Sequence, residues 1–430
     1  MITNQFAVML LLGSFAILIL LRVPIAFALG ISSILTAAYL GMPLLVIAQG
    51  IVGGINVFVL LAIPFFILAG EIMSQGGIAQ RLVQLAKALV GFMRGGLAMV
   101  NVLASMFFGG ISGSSVADTS SIGAVLIPMM KKEGYDADYS TSVTIASSVQ
   151  GILIPPSHNM VIYALVAGGV SVGQLFLAGI IPGVFLGIAL MIFSYIVAVK
   201  RGYPKGEKLK LRSALKALRD SVLGLLTVLI VVIGVVSGVF TATEAAAIAA
   251  VYAFIITFFV YREIPLSQMN SILSNSLKTL SIVLILIGTS SAFGWLMSYL
   301  RVPAVIADTI LGISDNKIVV LMILNVLLLV LGTFMDMSAL ILIGTPIFLP
   351  IAVSVGVDPV HFGVVMMLNL GIGLLTPPVG GTLFVGSAIG GVSIEKLSRA
   401  MLPFYAVMIG VLLIITYIPQ LVMFIPKMFY

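Results

Sequence analysis

The sequence predicts an all-α polytopic membrane protein built from two copies of one unit that run in opposite directions through the bilayer. Three observations predict it. Hydrophobic residues fill 61% of the 430 positions and charged residues only 8%, whereas soluble domains hold roughly 45–50% and 25%. Apolar runs of about twenty residues recur, among them Phe6 to Leu21, Leu175 to Val199 and Met401 to Phe424, each long enough to cross a hydrocarbon core about 30 Å thick. Two such stretches are interrupted by paired prolines in nearly the same wording, "GILIPPSHN" at 151–159 and "GLLTPPVGG" at 373–381.

Full spans are expected near 5–21, 24–40, 50–72, 138–168, 174–199, 221–240, 244–261, 277–300, 359–391 and 400–425. The first lacks a basic leader and a small-residue cleavage site, so it reads as a mature span and not as a signal peptide. Two further regions, 96–130 and 318–352, are apolar but carry small polar residues at their middles, "GGISGSSVADTSS" and "GTFMDMS". Such groups are costly in lipid, whereas a re-entrant hairpin of two half-length helices buries its tip in protein or water. Before the first hairpin, Ile78, Leu82, Leu85 and Leu89 share one helical face while Arg81, Gln84 and Lys87 share the other, the pattern of an interfacial helix at 76–93. A counterpart is expected near 302–313.

The net charge of +7 is dispersed among short loops without aromatic interleaving, which excludes a nucleic-acid partner and fits loop lysines and arginines that set orientation. Following the spans from an outside N-terminus puts Arg22, Arg81, Lys87, Arg94, Lys131, Lys132, the loop "KRGYPKGEKLKLRSALKALRD" at 200–220, Arg262, Lys278, Lys396 and Arg399 inside. Arg301, Lys317 and Lys427 remain outside. Both termini are then external. The absence of cysteine excludes disulfides and thiolate metal sites.

Repetition supplies the reason for the broken helices. Gly151 recurs as Gly373, 222 positions on, and the same offset pairs Gly110 with Gly332, Pro128 with Pro350, Gly134 with Gly356 and Asp136 with Asp358. It also pairs Pro155 and Pro156 with Pro377 and Pro378, and "GGVS" at 168–171 with 390–393. Five spans separate the hairpins, so the copies are inverted, the recurrent plan of secondary transporters. Proline lacks an N–H, so each break frees carbonyls that a continuous helix would use. In lipid those carbonyls need a polar partner, and a dehydrated Na⁺ suits them. The expected cation ligands are Ser112, Ser114 and Ser115 at the first tip, with Gly151, Ile154 and Pro156 at the first break. In the second copy they are Gly332, Thr333, Asp336, Gly373 and Thr376. Asp336, which pairs with Ser114 at the offset, is the one acid deep in its hairpin. The bland alternative is that the small polar residues only allow close helix packing.

The tip "SGSSVADTSSIGAVLIP", the break "ILIPPS", the second tip "LGTFMDMSALILIGTPIFLP" and the break "LLTPPVGG" closely resemble the large membrane subunit of the tripartite ATP-independent periplasmic (TRAP) transporters, over essentially the whole chain. The resemblance implies an elevator-type, Na⁺-coupled importer of an organic acid, of the sialic acid or C4-dicarboxylate class, in a bacterial inner membrane. It implies two partners besides lipid, a separate small four-helix membrane subunit and a periplasmic binding protein, and no cofactor other than the coupling ion. Scaffold spans and the interfacial helix would occupy 1–94, transport elements 95–171, scaffold spans 172–315, transport elements 316–393 and a last span 394–430. The anion would meet the positive ends of half-helices, with Ser157, Asn159, Asp336, Gly380, Gly381 and Arg301 as its expected contacts.

Other readings compete at single residues. His158, just after the first break, is a possible proton carrier but more commonly a structural residue. Asp118 reads as a helix cap for the residues after it. Arg301 could pair equally with a substrate carboxylate or a lipid phosphate. Histidines only at 158 and 361, with no HExxH motif and no cysteine, argue against an enzyme. A stand-alone H⁺- or Na⁺-coupled carrier and a channel are the remaining alternatives, and two unlike half-sites disfavour the symmetric filter of a channel.

Overall fold

The computed structural model describes residues 2–206 and 211–430; residues 207–210 of the basic loop lie outside the described residues. Helices α1 (Ile2–Leu20), α2 (Ile25–Tyr39), α3 (Leu44–Ile55), α4 (Ala62–Gln75) and α5 (Ile78–Val90) lead to a hairpin of α6 (Gly96–Ser112) and α7 (Ser115–Lys132). The first broken helix is α8 (Ala137–Ser148), the single turn α9 (Gln150–Leu153) and α10 (His158–Ala167), and α11 (Val172–Lys200) follows. Next come α12 (Leu211–Val236), α13 (Ala242–Ile255), α14 (Met269–Tyr299) and α15 (Val302–Ile313). A second hairpin, α16 (Lys317–Phe334) and α17 (Met337–Ser354), precedes the second broken helix, α18 (Pro359–Gly373) and α19 (Gly381–Gly390), and then α20 (Ile394–Tyr417). Among the described residues there is no strand beyond an isolated bridge between Arg94 and Lys205. Eight helical stretches among them are long and apolar enough to cross a membrane. Large apolar side chains such as Leu20, Leu45 and Ile233 stand exposed, as a lipid-facing surface requires.

The residue pairs at the 222 offset have local backbone reasons. Helices α7 and α17, α8 and α18, and α11 and α20 start at equivalent positions. Ser114 and Asp336 are the N-caps of α7 and α17, Asp136 and Asp358 those of α8 and α18, and Ser171 and Ser393 those of α11 and α20. A polar side chain there accepts from N–H groups that have no partner within the helix: Ser171 from Gln174 N–H and Ser393 from Lys396 N–H, both at 3.4 Å. Gly134 and Gly356, one residue beyond the last position of each hairpin's C-cap, have φ of 87° and 75°, a conformation that favours glycine.

Packing sorts the helices into two bodies. In one, α6 to α10 pack with α11, α18, α19 and α20; in the other, α4 packs on α13, and α14 lies across α2, α3 and α4. Helices α6, α7, α10, α11 and α17 carry contacts between the bodies, against α4, α5, α12, α14 and α15. By this packing α11, which the sequence groups with scaffold spans, sides with the hairpins and broken helices. Asp136, in the turn before α8, ties the end of α11 to that body. Its carboxylate accepts from Tyr203 Oη and from Arg201 Nη1, each at 2.7 Å. The Tyr203 hydroxyl chiefly, with Arg201 helping, holds the Asp136 carboxyl below its ordinary range.

Four expectations change. The span at 50–72 is interrupted at Asn56 and Val57, between α3 and a 3-10 turn leading into α4. The hairpin arms run 17 or 18 residues, about 26 Å at 1.5 Å per residue, so they are longer than half-length. The last span ends at Tyr417 and gives way to short pieces at Pro419–Met423 and Pro426–Phe429. Finally, the apolar face of α5 rests on α6 and α12 and is covered by protein, with Ile78, Leu82 and Leu85 buried. Arg81 on its polar face pairs with Glu263 at 2.5 Å and stacks on the Tyr261 ring at 3.8 Å.

Candidate functional site

The hairpin turns sit on the proline breaks. At the first break Pro155 and Pro156 offer no N–H, so the carbonyls of Gly151 and Ile152 lose the donors four residues on. The N–H of Ile154 goes instead to Gln150 O at 2.8 Å, and among the described residues no donor reaches the carbonyls of Gly151, Ile152 or Ile154. The first-hairpin turn lies against the end of this break: a Cβ built on Gly113 would lie 2.8 Å from the carbonyl oxygen of Pro156. Both Pro–Pro bonds are cis.

The second break does not repeat this chemistry. Gly373 O accepts from Thr376 N–H at 2.9 Å, Leu374 O from Thr382 N–H and Thr376 O from Gly380 N–H, both at 3.2 Å, and Thr333 O accepts from Val379 N–H at 3.1 Å. The Thr333 and Thr376 hydroxyls donate to Val330 O and Ile372 O, each at 2.8 Å. The expectation of equivalent breaks is thus corrected: the first leaves three carbonyls open, while the second turns its own inward and keeps only their second lone pairs for a cation.

Glycines set how closely the hairpins approach. A Cβ on Gly151 would lie 2.9 Å from Gly109 Cα, and one on Gly373 would lie 2.7 Å from Gly332 Cα. Backbone meets backbone at both crossings, which only glycine permits. Gly381, by contrast, has open space where a Cβ would go.

Each tip reaches into the other copy. Ser115 Oγ lies 2.6 Å from Ser148 Oγ and 3.1 Å from Thr382 Oγ1 on α19, and Ser338 Oγ at the second tip donates to Asn159 Oδ1 on α10 at 3.4 Å. The tips therefore share one polar centre. A cavity of about 890 Å³ opens on it, with Ser112, Ser114, His158, Asp336 and Ser338 in its wall, and runs along α7 past Ser120 and Ser121 to Gln75 and Gln80. Asp336 is exposed, and its Oδ1 accepts from Ser338 N–H at 2.8 Å, so it caps α17 with one oxygen and leaves the other free.

The first turn of α10 is open. Among the described residues the N–H groups of His158, Asn159 and Met160 have no acceptor, and the hydroxyl of fully buried Ser157 has no partner. Unused donors at a helix N-terminus favour an anion. A second, smaller cavity of about 380 Å³ is walled by Leu342 and Pro346 of α17 and by Ser290, Ser291 and Trp295 of α14.

Two single residues fall elsewhere than the sequence suggests. Arg301 is an exposed N-cap of α15 with φ 57° and is not in the cavity wall. Asp118 does not cap α7, because Ser114 does; it lies in the first turn, fully buried, and neither carboxylate oxygen has a partner. The sequence reading passed over Glu71. It lines the cavity from α4, and its Oε1 accepts from Gln75 Nε2 at 2.6 Å and Asn275 Nδ2 at 3.2 Å. The signal was an acid inside a predicted span.

Comparison with known proteins agrees with this architecture. A model of the family "Tripartite ATP-independent periplasmic transporter, DctM component" matches residues 12–421. The chain is 47% identical to YgiK of Salmonella typhimurium, over 99% of this chain and 98% of that one. It is 40% identical to the sialic acid TRAP transporter large permease SiaM of Vibrio cholerae, over 89% of each, and 40% identical to the C4-dicarboxylate TRAP transporter large permease DctM of Pseudomonas aeruginosa, over 86% of each. In fold it is similar to the Alcanivorax borkumensis YdaH transporter, with a TM-score of 0.57 at 13% identity over 86% of both chains. The chain is a large membrane permease of the TRAP transporter family, in its DctM component.

Proposed function

We propose that this chain carries an organic acid anion inward across a bacterial inner membrane on the Na⁺ gradient, as the large subunit of a tripartite importer with both termini periplasmic. The observation that carries the reading is the first break, where the carbonyls of Gly151, Ile152 and Ile154 have no donor among the described residues and the turn of a hydroxyl-rich hairpin lies against Pro156. A hard cation takes oxygen ligands of this kind. The anion meets the open first turn of α10 from the shared centre. Relatives named for sialic acid and C4-dicarboxylates support the acid class, and their family name supports a separate small membrane subunit and a periplasmic binding protein as partners. Inverted copies and a division of the helices into two bodies suit an elevator movement of the hairpin body against the other. The test is uptake of labelled organic acids into proteoliposomes holding the permease, with its binding protein supplied outside. Uptake should rise with Na⁺ with a Hill coefficient above one, and Li⁺ or K⁺ should substitute poorly. Equal uptake with choline in place of Na⁺ under a proton gradient would move the coupling role to His158.

A further inference from the structure

Each broken helix is backed by the helix that follows it, the first by α11 against α9 and the second by α20 against α18, and the two backing helices meet their breaks with different chemistry. At the 222 offset Leu153 corresponds to Leu375, Gly179 to Met401 and Gly183 to Tyr405. On α11 the glycines let the helix press against the first break: a Cβ on Gly179 would collide with the carbonyl oxygen of Leu153, and one on Gly183 would lie 2.5 Å from Ile154 Cγ1. Among the described residues no backbone donor reaches the Leu153 carbonyl from outside its helix. On α20, by contrast, the half-buried Tyr405 hydroxyl donates to Leu375 O at 2.5 Å. Backbone N–H groups already serve Gly373 O, Leu374 O and Thr376 O. Tyr405 therefore supplies the last donor, and every carbonyl from 373 to 376 has one.

We propose that Tyr405 is a positioning residue for the coupling ion: its hydroxyl, reaching in from α20, holds the second break in its inward-turned form, so that this half of the site is shaped before Na⁺ arrives. The proposal rests on the reading of the chain as a Na⁺-driven importer. Tyr405 acts through Leu375 and is not itself a ligand. Without the phenol oxygen, the carbonyl of buried Leu375 is an unpaired acceptor in a protein interior, and the break shifts towards forms in which water or another donor reaches it. Only the fraction of molecules still turned inward then binds Na⁺ with the native affinity, so the apparent affinity falls by that fraction. The ion-loaded form that moves is unchanged.

The test is Tyr405→Phe, which removes one oxygen and keeps the ring. Its control is Tyr417→Phe, which deletes a phenol on the same helix that donates to Ile318 O at 3.0 Å, at the opposite end of α16 from the hairpin tip. In Na⁺ titrations of uptake by proteoliposomes, Tyr405→Phe should raise the half-saturating Na⁺ concentration about three- to ten-fold, the size expected from one hydrogen bond. Its maximal rate at saturating Na⁺ should be retained, and Tyr417→Phe should match wild type. Hydrogen–deuterium exchange over residues 373–384 gives a reading that needs no transport. In Na⁺-free buffer Tyr405→Phe should exchange faster than wild type at the Thr376, Val379, Gly380 and Thr382 amides, and Na⁺ should bring the two proteins to the same protection. A lower maximal rate at unchanged Na⁺ dependence, equal exchange in Na⁺-free buffer, or the same Na⁺ shift in Tyr417→Phe would overturn the proposal while leaving a Na⁺-driven importer standing. Wild-type uptake and exchange that both ignore Na⁺ would overturn the importer reading and the proposal with it.

Discussion

Alanine at Gly373 should cripple transport, whereas alanine at Gly381, eight positions on, should not. The Cβ of Gly373→Ala would lie 2.7 Å from the Cα and carbonyl carbon of Gly332, about 1 Å inside the roughly 3.5–4.0 Å at which carbon atoms attract. Both partners are backbone, so no rotamer change relieves the clash, and α16 and α18 must part. Forced shifts of this kind cost ~1–3 kcal/mol. If the strain falls on the ion-bound arrangement, the Na⁺ concentration for half-maximal uptake rises about 5- to 150-fold. At Gly381 nothing lies within 4 Å of the added carbon, and alanine in a helical first turn is neutral or stabilises by ~0.4–1 kcal/mol. The assay is a Na⁺ titration of uptake by both variants in proteoliposomes, after size-exclusion chromatography shows that each is folded. Wild-type Na⁺ dependence in folded Gly373→Ala protein, or equal damage from Gly381→Ala, would refute the close-approach argument.

Three further outcomes follow from the geometry. Asp336→Asn keeps an acceptor for the Ser338 N–H but removes the charge, so the variant should fold and need much more Na⁺; wild-type Na⁺ dependence would leave Asp336 a cap only. Because its Tyr203 and Arg201 partners depress its pKa, Asp136 contributes stability above its unfolded value of about 3.9 and loses it as pH falls further. The thermal midpoint of the solubilised permease should therefore fall on the acid side of about pH 4 more steeply for wild type than for Asp136→Asn, and parallel curves would contradict the linkage. Since the sequence contains no cysteine, a single disulfide introduced between α5 and α6, which pack together, should stop uptake if the hairpin body slides on that helix; uptake with the crosslink formed would rule the sliding out.

The hairpins, breaks and caps were legible because each is a local backbone demand that recurs at one spacing. A proline removes a donor, a glycine permits φ above zero, and an Asp or Ser ends a helix, wherever each sits. The interruption at Asn56 was not legible, since apolar residues flank it on both sides and hydropathy does not change across it. Nor was the side taken by α11, because a uniformly apolar helix can face either body and its partners are chosen by packing. The inward turn of the second break depends on where Gly380 and Thr382 fall in space, which residue spacing does not reveal. Glu71 was legible as an intramembrane acid and was missed by treating its span as uninterrupted apolar sequence.

The two cavities use positions of the hairpins that correspond at the 222 offset. At the 222 offset Ser120 corresponds to Leu342 and Ala124 to Pro346, the first of each pair in the wall of the larger cavity and the second in that of the smaller. At the first pair one hairpin wall presents a hydroxyl where the other presents a branched hydrocarbon. Water enters a narrow apolar passage reluctantly, and a hydrated ion more reluctantly still. Leu342 and Pro346 therefore offer water no hydrogen-bond partner at these positions, whereas the Ser120 hydroxyl does. The two hairpins are for that reason not interchangeable at this position, since exchanging Ser120 and Leu342 would trade a wall group that binds water for one that cannot.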